Sequence, residues 1–269
     1  MARYKDAELG VIANGSSGST IENVTFFETG SGVNISQSDE VVIKNNKFIR
    51  QTDVAVNVIN NQIDTQTNRN QIDNNEFYET TLGVRICGAN ADYNTVSNNL
   101  FWKSKSWAIN IATANNNVIS NNRILESIRT PIRLISASRN RVTANTLIGR
   151  PLDPVFTQPN GITLSLDSND KCAGNGLVVS EENSIFANHI SDFSLAIDVG
   201  SGITVSPFLQ NYWGIESPYV GRNLINKNQL IDNEVGIQFK IDAYQNNATN
   251  NNYRGTHKQV ENNGIGNTF

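Results

Sequence analysis

Basic residues are concentrated in one short part of the sequence. Residues 101–150 contain eight Lys and Arg against one Asp or Glu, which gives this window a formal charge of +7 in a chain whose net charge is −4. Clustered like charges repel one another, and a focused positive patch raises the local concentration of anions. Arginine also binds planar oxyanions through two parallel hydrogen bonds. The window therefore predicts a site for an anion, such as the carboxylates or sulfates of a sugar chain.

Four basic residues fit β-elimination from a uronate. In that reaction a cation neutralises the carboxylate, a base removes the C5 proton and an acid protonates the leaving oxygen. Arg85 and Arg133 suit the neutralising cation. Lys103 or Lys105 suits the base, because crowding by other cations lowers the pKa of a lysine. Epimerisation would use the same groups, with reprotonation from the opposite face.

Aspartates offer the alternative chemistry, which is hydrolysis. Two carboxylates must then flank the scissile bond about 5 to 10 Å apart. Asp198, paired with Asp153, Asp167 or Asp170, would supply the two groups. Asp167 and Asp170 could equally bind Ca²⁺. Because an Asp-x-x-Asp spacing is common, no metal and no other cofactor is expected.

Aromatic and polar residues near these positions suit the binding of a sugar. An indole packs its face on apolar sugar surfaces while its N–H takes a polar partner. Trp102 and Trp107 bracket the two lysines, and Trp107 is expected to be partly exposed. The predicted substrate-binding residues are Asn110, Trp107, Trp102, Arg150, Thr163, Tyr212 and Trp213.

A repeat of about 23 residues determines where these side chains lie. Asn75, Asn99, Asn122 and Asn145 follow one another at intervals of 24, 23 and 23 residues, and each has an apolar residue three positions before it and two after it. The second half of the repeat is a short alternating segment, present at 32–35, 55–58, 83–86, 108–111, 161–164, 196–199 and 236–239. A last copy of the first half is assigned to Val260, Asn263 and Ile265.

Units this short cannot bury an apolar face alone and must stack on their neighbours. Stacked strands lie ~4.8 Å apart, so the recurring asparagine would form a column in which each amide bonds to the next. Side chains alternate between the two faces of a strand. Arg85, Asn110 and Arg133 should therefore lie in one outward row, with the two arginines ~10 Å apart.

The pattern resembles the parallel β-helix repeats of the pectate-lyase-like superfamily, which contains polysaccharide lyases, glycoside hydrolases, uronate epimerases and phage tailspikes. The resemblance extends from about Ile21 to Phe239. It implies an all-β fold, a right-handed parallel β-helix of about eight to nine coils with an asparagine ladder. It also implies a protein that is extracellular, at the cell surface or part of a phage virion. No family-specific catalytic signature is intact, since Asp153-Pro154 is followed by Val155-Phe156 and not by the His-Asp of alginate epimerases.

One elongated domain, 1–269, is expected because a solenoid grows by the addition of coils. Residues 1–18 form its N-terminal segment, in which Ala7 to Ile12 or a partner would cover the first coil. The predicted loop insertions are 148–160, 167–182, 200–223 and 240–259. Cys87 and Cys172 are expected to be free thiols, since two cysteines do not make a disulfide framework. A secretory leader is missing from the first residues and is expected to have been removed.

The predicted partner is an acidic polysaccharide or oligosaccharide, with a homo-oligomer as a further option. No membrane is expected, because no apolar run has the length of a span. Duplex nucleic acid is not expected either, because the net charge is negative and the basic window is only two coils thick. The predicted function is a polysaccharide lyase acting on a uronate-containing polymer. The alternatives are a glycoside hydrolase or tailspike-type depolymerase with paired carboxylates, and a non-catalytic polysaccharide-binding or structural β-helix.

Overall fold

Three long parallel sheets form the body of the protein. The computed structural model describes residues 2–60, 64–150, 160–166, 172, 179–200 and 219–269. All pairings between neighbouring strands in these ranges are parallel, and successive strands of one sheet belong to successive coils. Within the described part of the chain, no helix has the length and apolar character needed to cross a membrane.

Each coil contributes one strand to each long sheet. The first sheet contains β1 (Ala2–Lys5), β4 (Val24–Phe27), β7 (Lys47–Ile49), β10 (Glu76–Tyr78), β13 (Leu100–Trp102), β16 (Arg123–Leu125), β19 (Thr146–Ile148), β23 (His189–Ser191), β27 (Gln229–Ile231) and β31 (Asn252–Arg254). The second sheet contains β2 (Leu9–Asn14), β5 (Ser31–Ser36), β8 (Val54–Ile59), β11 (Leu82–Cys87), β14 (Ile109–Ala112), β17 (Ile132–Ile135), β20 (Asn160–Ser165), β24 (Leu195–Val199), β28 (Val235–Phe239) and β32 (Lys258–Asn262).

The third sheet contains β3 (Thr20–Glu22), β6 (Val42–Lys44), β9 (Gln71–Asp73), β12 (Thr95–Ser97), β15 (Val118–Ser120), β18 (Arg141–Thr143), β22 (Ser184–Phe186), β26 (Leu224–Asn226) and β30 (Asn247–Thr249). A short fourth sheet contains β21 (Ser180–Glu181), β25 (Val220–Gly221) and β29 (Ala243–Tyr244). The predicted all-β solenoid is confirmed.

The core is a column of inward side chains that stack along the rod. Tyr4, Phe26, Phe48, Phe77 and Phe101 lie ring on ring in successive coils of the first sheet, with centroid separations of 5.3, 4.8, 4.8 and 4.4 Å. The four phenylalanines are fully buried. This spacing equals the distance between neighbouring strands, so the repeat itself places equivalent rings in contact.

Two asparagine ladders satisfy the backbone at the turns. The predicted ladder is confirmed: Asn99, for example, donates from its backbone N and from Nδ2 to Oδ1 of Asn122, both at 3.0 Å. A second ladder, which the sequence interpretation missed, begins five residues earlier in each coil. Its members are Asn70, Asn94, Asn117, Asn140, Asn183, Asn223, Asn246 and Asn267.

The repeat extends further at both ends than predicted. At the N-terminus, residues 9–14 pair with β5 as a regular strand of the second sheet. At the C-terminus, 240–259 is not a loop insertion, since it contains β29, β30 and β31 and the start of β32. The last full copy of the repeat is Ala248, Asn251 and Tyr253. The assignment to Val260, Asn263 and Ile265 is wrong, because Val260 lies in β32 of the second sheet.

The two cysteines form a disulfide, so the prediction of free thiols is wrong. Cys87, at the end of β11, is bonded to Cys172, and their Cα atoms are 5.4 Å apart. Cys87 points outward from the sheet, because side chains alternate along a strand and its neighbour Ile86 is buried in the core. Cys172 packs there against Ala112 and Ile135 of the next two coils. Stacking of coils thus brings together two residues that are 85 positions apart in sequence.

Candidate functional site

A row of polar side chains runs along the outer face of the second sheet. Arg85 pairs with Asn110, and Asn110 pairs with Arg133, in the predicted register. The row continues through Thr163 to Asp198. We call these five residues, with Asn57 below Arg85, the polar row. Their neighbours along each strand, such as Val84 and Ile86, are fully buried in the core, so the polar row faces outward.

Arg85 is held in place from the coil below it. Its Nε donates a 2.9 Å hydrogen bond to Oδ1 of Asn57. The Nδ2 of Asn57 in turn donates to Oδ1 of Asn34 at 3.0 Å. Because this bond uses Nε, Asn57 orients the planar guanidinium group of Arg85 without engaging its two terminal nitrogens. Such an arrangement suits bidentate contact with an oxyanion.

Arg133 lies over an aromatic ring. Its Cζ is 4.7 Å from the centroid of Trp107, which is a cation–π contact. Trp107 is partly exposed, as predicted. Between the two arginines, Asn110 is only 3% exposed, and its Oδ1 has no hydrogen-bond partner among the described residues. The middle of the polar row is therefore a cationic surface with one aromatic ring and one unsatisfied acceptor.

Asp198 is the carboxylate of the polar row, and it is 2% exposed. Its Oδ2 accepts hydrogen bonds from Lys240 Nζ at 2.7 Å and from Asn160 Nδ2 at 2.9 Å. Its Oδ1 is buried with no hydrogen-bond partner in the described ranges. Burial raises the pKa of Asp198 above its ordinary value, against the opposing effect of Lys240, and the charge of Asp242 raises it further. This face therefore holds a carboxyl group with an increased tendency to stay protonated.

Gly200 allows Asp242, the acidic residue beside Asp198, to come close to the backbone. Its φ is +112°, a conformation that side chains rarely adopt, and a Cβ at this position would lie 2.6 Å from Asp242 Oδ1. Sequence interpretation missed Lys240 because it placed this residue in a loop. The signal was present: Lys240 lies two positions after Gln238, which pairs with Asp198, and residues two apart on a strand face the same side.

Three predicted site residues lie away from the polar row. Lys103 Nζ is 4.2 Å from the ring centroid of Trp102 and 3.8 Å from Glu126 Oε2. Trp102 is an outward residue of β13 in the first sheet. The predicted placement of Trp102 and Lys103 beside Arg85 and Arg133 is therefore wrong, because the chain turns a corner at buried Ser104. Arg150 donates from Nε to the Glu126 carbonyl at 3.3 Å, at that same corner.

Of the remaining predicted site residues, the structure describes only Lys105. Lys105 is an exposed residue of the turn before β14, and no structural finding tests its role as a base. Asp153, Asp167, Asp170, Tyr212 and Trp213 lie outside the described residues. In the described ranges, no group of three or more His, Cys, Asp or Glu side chains is arranged to hold a metal ion.

The basic window does not form one patch. Arg123 projects from the first sheet, Arg133 from the second and Arg141 from the third. Net charge along the sequence therefore overstated the cationic character of any single face. On the outer face of the second sheet, Arg85 and Arg133 are the pair of cations that an anion can contact.

Known proteins resemble this chain in fold. Residues 9–175 match the family model described as "right handed beta helix region", whereas a search of the curated proteins finds no match. Among solved structures, the A-module of the mannuronan C-5 epimerase AlgE6 of Azotobacter vinelandii is 12% identical, with a TM-score of 0.55 over 91% of this chain and 64% of that chain. The catalytic domain of a GH87 α-1,3-glucanase is 13% identical, with a TM-score of 0.58 over 94% and 48%.

A surface adhesin has the same architecture. The adhesin PfbA of Streptococcus pneumoniae is 15% identical, with a TM-score of 0.55 over 93% of this chain and 68% of that chain. The chain thus spans about half to two thirds of the length of these structures. At such identities the likeness concerns the fold. Since the family model covers more than half of its residues, the chain belongs to the right-handed β-helix family.

Proposed function

We propose that the protein binds an acidic polysaccharide along the polar row. The observation that carries this proposal is the register of Arg85, Asn110 and Arg133 on one outer face, with Arg133 stacked on Trp107. The two guanidinium groups belong to strands separated by ~10 Å. A polymer with regularly spaced carboxylates can contact both at once, and a sugar ring can pack on the exposed part of the indole.

Two further observations support this proposal. The structural relatives include an epimerase of mannuronan, an α-1,3-glucanase and a bacterial surface adhesin, so the fold serves carbohydrate chemistry and surface attachment in other proteins. The Cys87–Cys172 disulfide favours an oxidising compartment. We therefore propose that the protein acts outside the cell, at the cell surface or on a virion.

Binding to anionic polymers tests the proposal. Retention on gels of polygalacturonate, alginate and hyaluronan is measured for the wild type, for Arg133→Ala and for Arg141→Ala. Loss of one charge-assisted contact, worth about 1.5 to 3 kcal/mol, should weaken binding of the Arg133 variant by about 10- to 100-fold. Arg141, an exposed arginine of the third sheet, is the matched control and should bind as the wild type does. Equal retention of all three proteins would remove the polar row from the site.

Cleavage of that polymer, by a lyase mechanism, is the second and finer proposal. Arg133, two strands from Asp198 in the polar row, would neutralise the uronate carboxylate. The Asp198 carboxylate, whose pKa is raised by burial, would take the C5 proton, the role first given to Lys103 or Lys105. The Lys240 ammonium, bonded to Asp198, would protonate the leaving oxygen, and transfer of the proton from Asp198 to Lys240 would then restore the pair. The observation that favours catalysis over binding alone is this acid and base on the same face as the arginines.

The products distinguish the mechanisms. Elimination gives an unsaturated uronate that absorbs in the ultraviolet, together with new reducing ends, whereas hydrolysis gives the reducing ends alone. We expect absorbance to grow with time for the wild type and to stop for Asp198→Asn, while binding persists. New reducing ends without absorbance would assign the site to a glycoside hydrolase. Absence of both, with binding intact, would assign it to a non-catalytic binding protein.

A further inference from the structure

Six apolar side chains form a continuous stripe on the outer face of the first sheet. They pair with one another in register through six successive coils and are all partly exposed. These residues, which we call the outer stripe, are Phe27, Ile49, Tyr78, Trp102, Leu125 and Ile148. An outward column of the third sheet has Glu22, Lys44, Asp73, Ser97, Ser120 and Thr143 instead. An exposed apolar surface of this kind marks an interaction site.

A column of alternating charges borders the outer stripe. Each of its members directly follows a residue of the stripe, and backbone hydrogen bonds join it to the next coil. This charged column consists of Glu28, Arg50, Glu79, Lys103 and Glu126, followed by Gly149. Arg50 bonds to Glu28 at 2.9 Å, and Lys103 lies 3.8 Å from Glu126. The sign of the charge therefore reverses with every coil, at intervals of ~4.8 Å.

This alternation makes the charged column complementary to itself whenever a two-fold axis passes between two neighbouring coils. A two-fold axis that lies in the interface and is perpendicular to the rod reverses the order of the coils but keeps the charged column on the same side. If the axis passes between Tyr78 and Trp102, the facing pairs of the stripe are Phe27 with Ile148, Ile49 with Leu125, and Tyr78 with Trp102. All six members of the outer stripe are then covered.

The same register opposes unlike charges. Arg50 then faces Glu126 of the second copy, and Glu79 faces its Lys103. An axis through the coil of Tyr78 would instead place Glu79 against Glu79 and Arg50 against Lys103. The order of the charges thus requires an axis between two coils, and the length of the apolar stripe selects the one between Tyr78 and Trp102.

We propose that a second copy of this chain docks antiparallel on the outer stripe, with the two-fold axis between Tyr78 and Trp102. Isologous contacts of this kind are the commonest in homo-oligomers. On the other border of the stripe, Lys47 approaches Arg123 of the second copy. Lys47 is bound to Glu76 at 2.9 Å, so Arg123 meets a neutralised pair. The stripe is ~24 Å long, from five strand spacings, which is less than a standard interface, so the dimer is a weak one that depends on concentration.

Charge exchange within the charged column tests this register. Sedimentation equilibrium over a concentration series is measured for the wild type, Glu79→Lys, Lys103→Glu and the double variant. Each single change places like charges opposite each other and should raise the dimer dissociation constant about tenfold or more. The double variant exchanges the two charges and should return to the wild-type value. Thermal melts show that each variant is folded.

Glu22→Lys is the matched control. Glu22 is an exposed residue of the third sheet, paired with Lys44, and its substitution changes the net charge by the same amount as Glu79→Lys. It should leave the dissociation constant unchanged. A wild type that stays monomeric at the highest concentration would overturn the proposal. So would a double variant that associates no better than the single variants.

Discussion

Asp198 shows how the fold sets the chemistry of one residue. Its position in the polar row follows from strand alternation, but its burial follows from Lys240 and Asn160, which approach it from other parts of the chain. Removal from water disfavours the charged carboxylate more than one lysine compensates. The outcome is a carboxyl group whose neutral form is favoured by the folded state.

Stability should therefore depend on the protonation of Asp198. Its pKa is higher in the folded than in the unfolded protein, so its contribution is fully present below the unfolded pKa of about 3.9 and is lost as pH rises through the folded pKa. In Asp198→Asn this loss should disappear. Melting temperatures measured from about pH 4 to pH 8 should fall more steeply for the wild type than for the variant.

Glu22→Gln, on the exposed edge of the third sheet, is the control for this series and should keep the wild-type profile. An Asp198→Asn protein with the same decline as the wild type would show that the carboxyl group does not titrate in this range.

Alternation of side chains predicted the outward row of Arg85, Asn110 and Arg133. Alternation could not predict which of these side chains would be held by a hydrogen bond or a ring contact with a neighbouring residue. Trp102 and Trp107 illustrate why, since they lie five residues apart and the interpretation placed both beside the row. The bend between them leaves Trp102 in the first sheet and places Trp107 just before a strand of the second sheet. The corner recurs just after the first-sheet strand of successive coils, at residues with positive φ such as Glu79, Lys103 and Glu126, and no shared residue type marks it in the sequence.

Ladder asparagines stabilise the coil as an element. Asn122 Oδ1 accepts from the backbone N and the Nδ2 of Asn99, while its own Nδ2 donates to Asn145 Oδ1 at 3.0 Å and to the Val96 carbonyl at 2.9 Å. All of these groups are buried and out of reach of water. One side chain therefore satisfies polar groups of both neighbouring coils.

Truncation of one ladder residue should be costly. In Asn122→Ala, buried groups on both sides lose their partners, and we expect the free energy of unfolding to fall by about 2 to 4 kcal/mol. Denaturant titration measures the change. The control is its exposed neighbour Asn121, whose φ of 56° suits glycine. Asn121→Gly should change stability by less than about 1 kcal/mol. Equal losses in both variants would show that the ladder bonds add little.

The C-terminal coil should be sensitive to alkali. Tyr253 takes the inward position of Leu230 in the coil before it, and burial raises the pKa of its hydroxyl to about 12. The stability that depends on the neutral phenol is complete below the unfolded pKa of about 10, and it is lost as pH rises toward the folded value. Tyr253→Phe should remove this alkaline loss. Melting temperatures between about pH 9 and pH 11 check it, and parallel profiles for the two proteins would contradict it.

One ladder could be found from the sequence because Asn recurs between Ile or Val and an aromatic or aliphatic residue. The second ladder shares the same spacing, yet its asparagines precede the apolar residue by two, and the sequence interpretation did not single them out. The last coil was missed because Ala248 and Tyr253 replace the usual aliphatic and phenylalanine residues. Stacking tolerates these substitutions, because the neighbouring coil and not the residue type fixes the position.

At the scale of the whole molecule, the disulfide differs from every contact of the repeat. Coils of a solenoid contact their nearest neighbours, whereas Cys172 follows β20 and is bonded to β11, three strands away in the second sheet. Between them it covers Ala112 and Ile135, and Thr113 Oγ1 donates to the Cys172 carbonyl at 2.8 Å. Sequence spacing could not predict this pairing, because it depends on the path of an insertion and not on the period of the coil.

Removal of this crosslink should destabilise the rod as a whole. The bond closes a segment of 85 residues in the unfolded chain, and loss of such a constraint lowers the free energy of unfolding by about 2 to 4 kcal/mol. Denaturant titration of Cys87→Ala/Cys172→Ala measures the effect, since alanine keeps the apolar contact with Ala112 and Ile135. The wild type treated with a reducing agent is the matched control and should unfold at the same midpoint as the double variant. If oxidised wild type and double variant unfolded together, the coils alone would account for the stability of the rod.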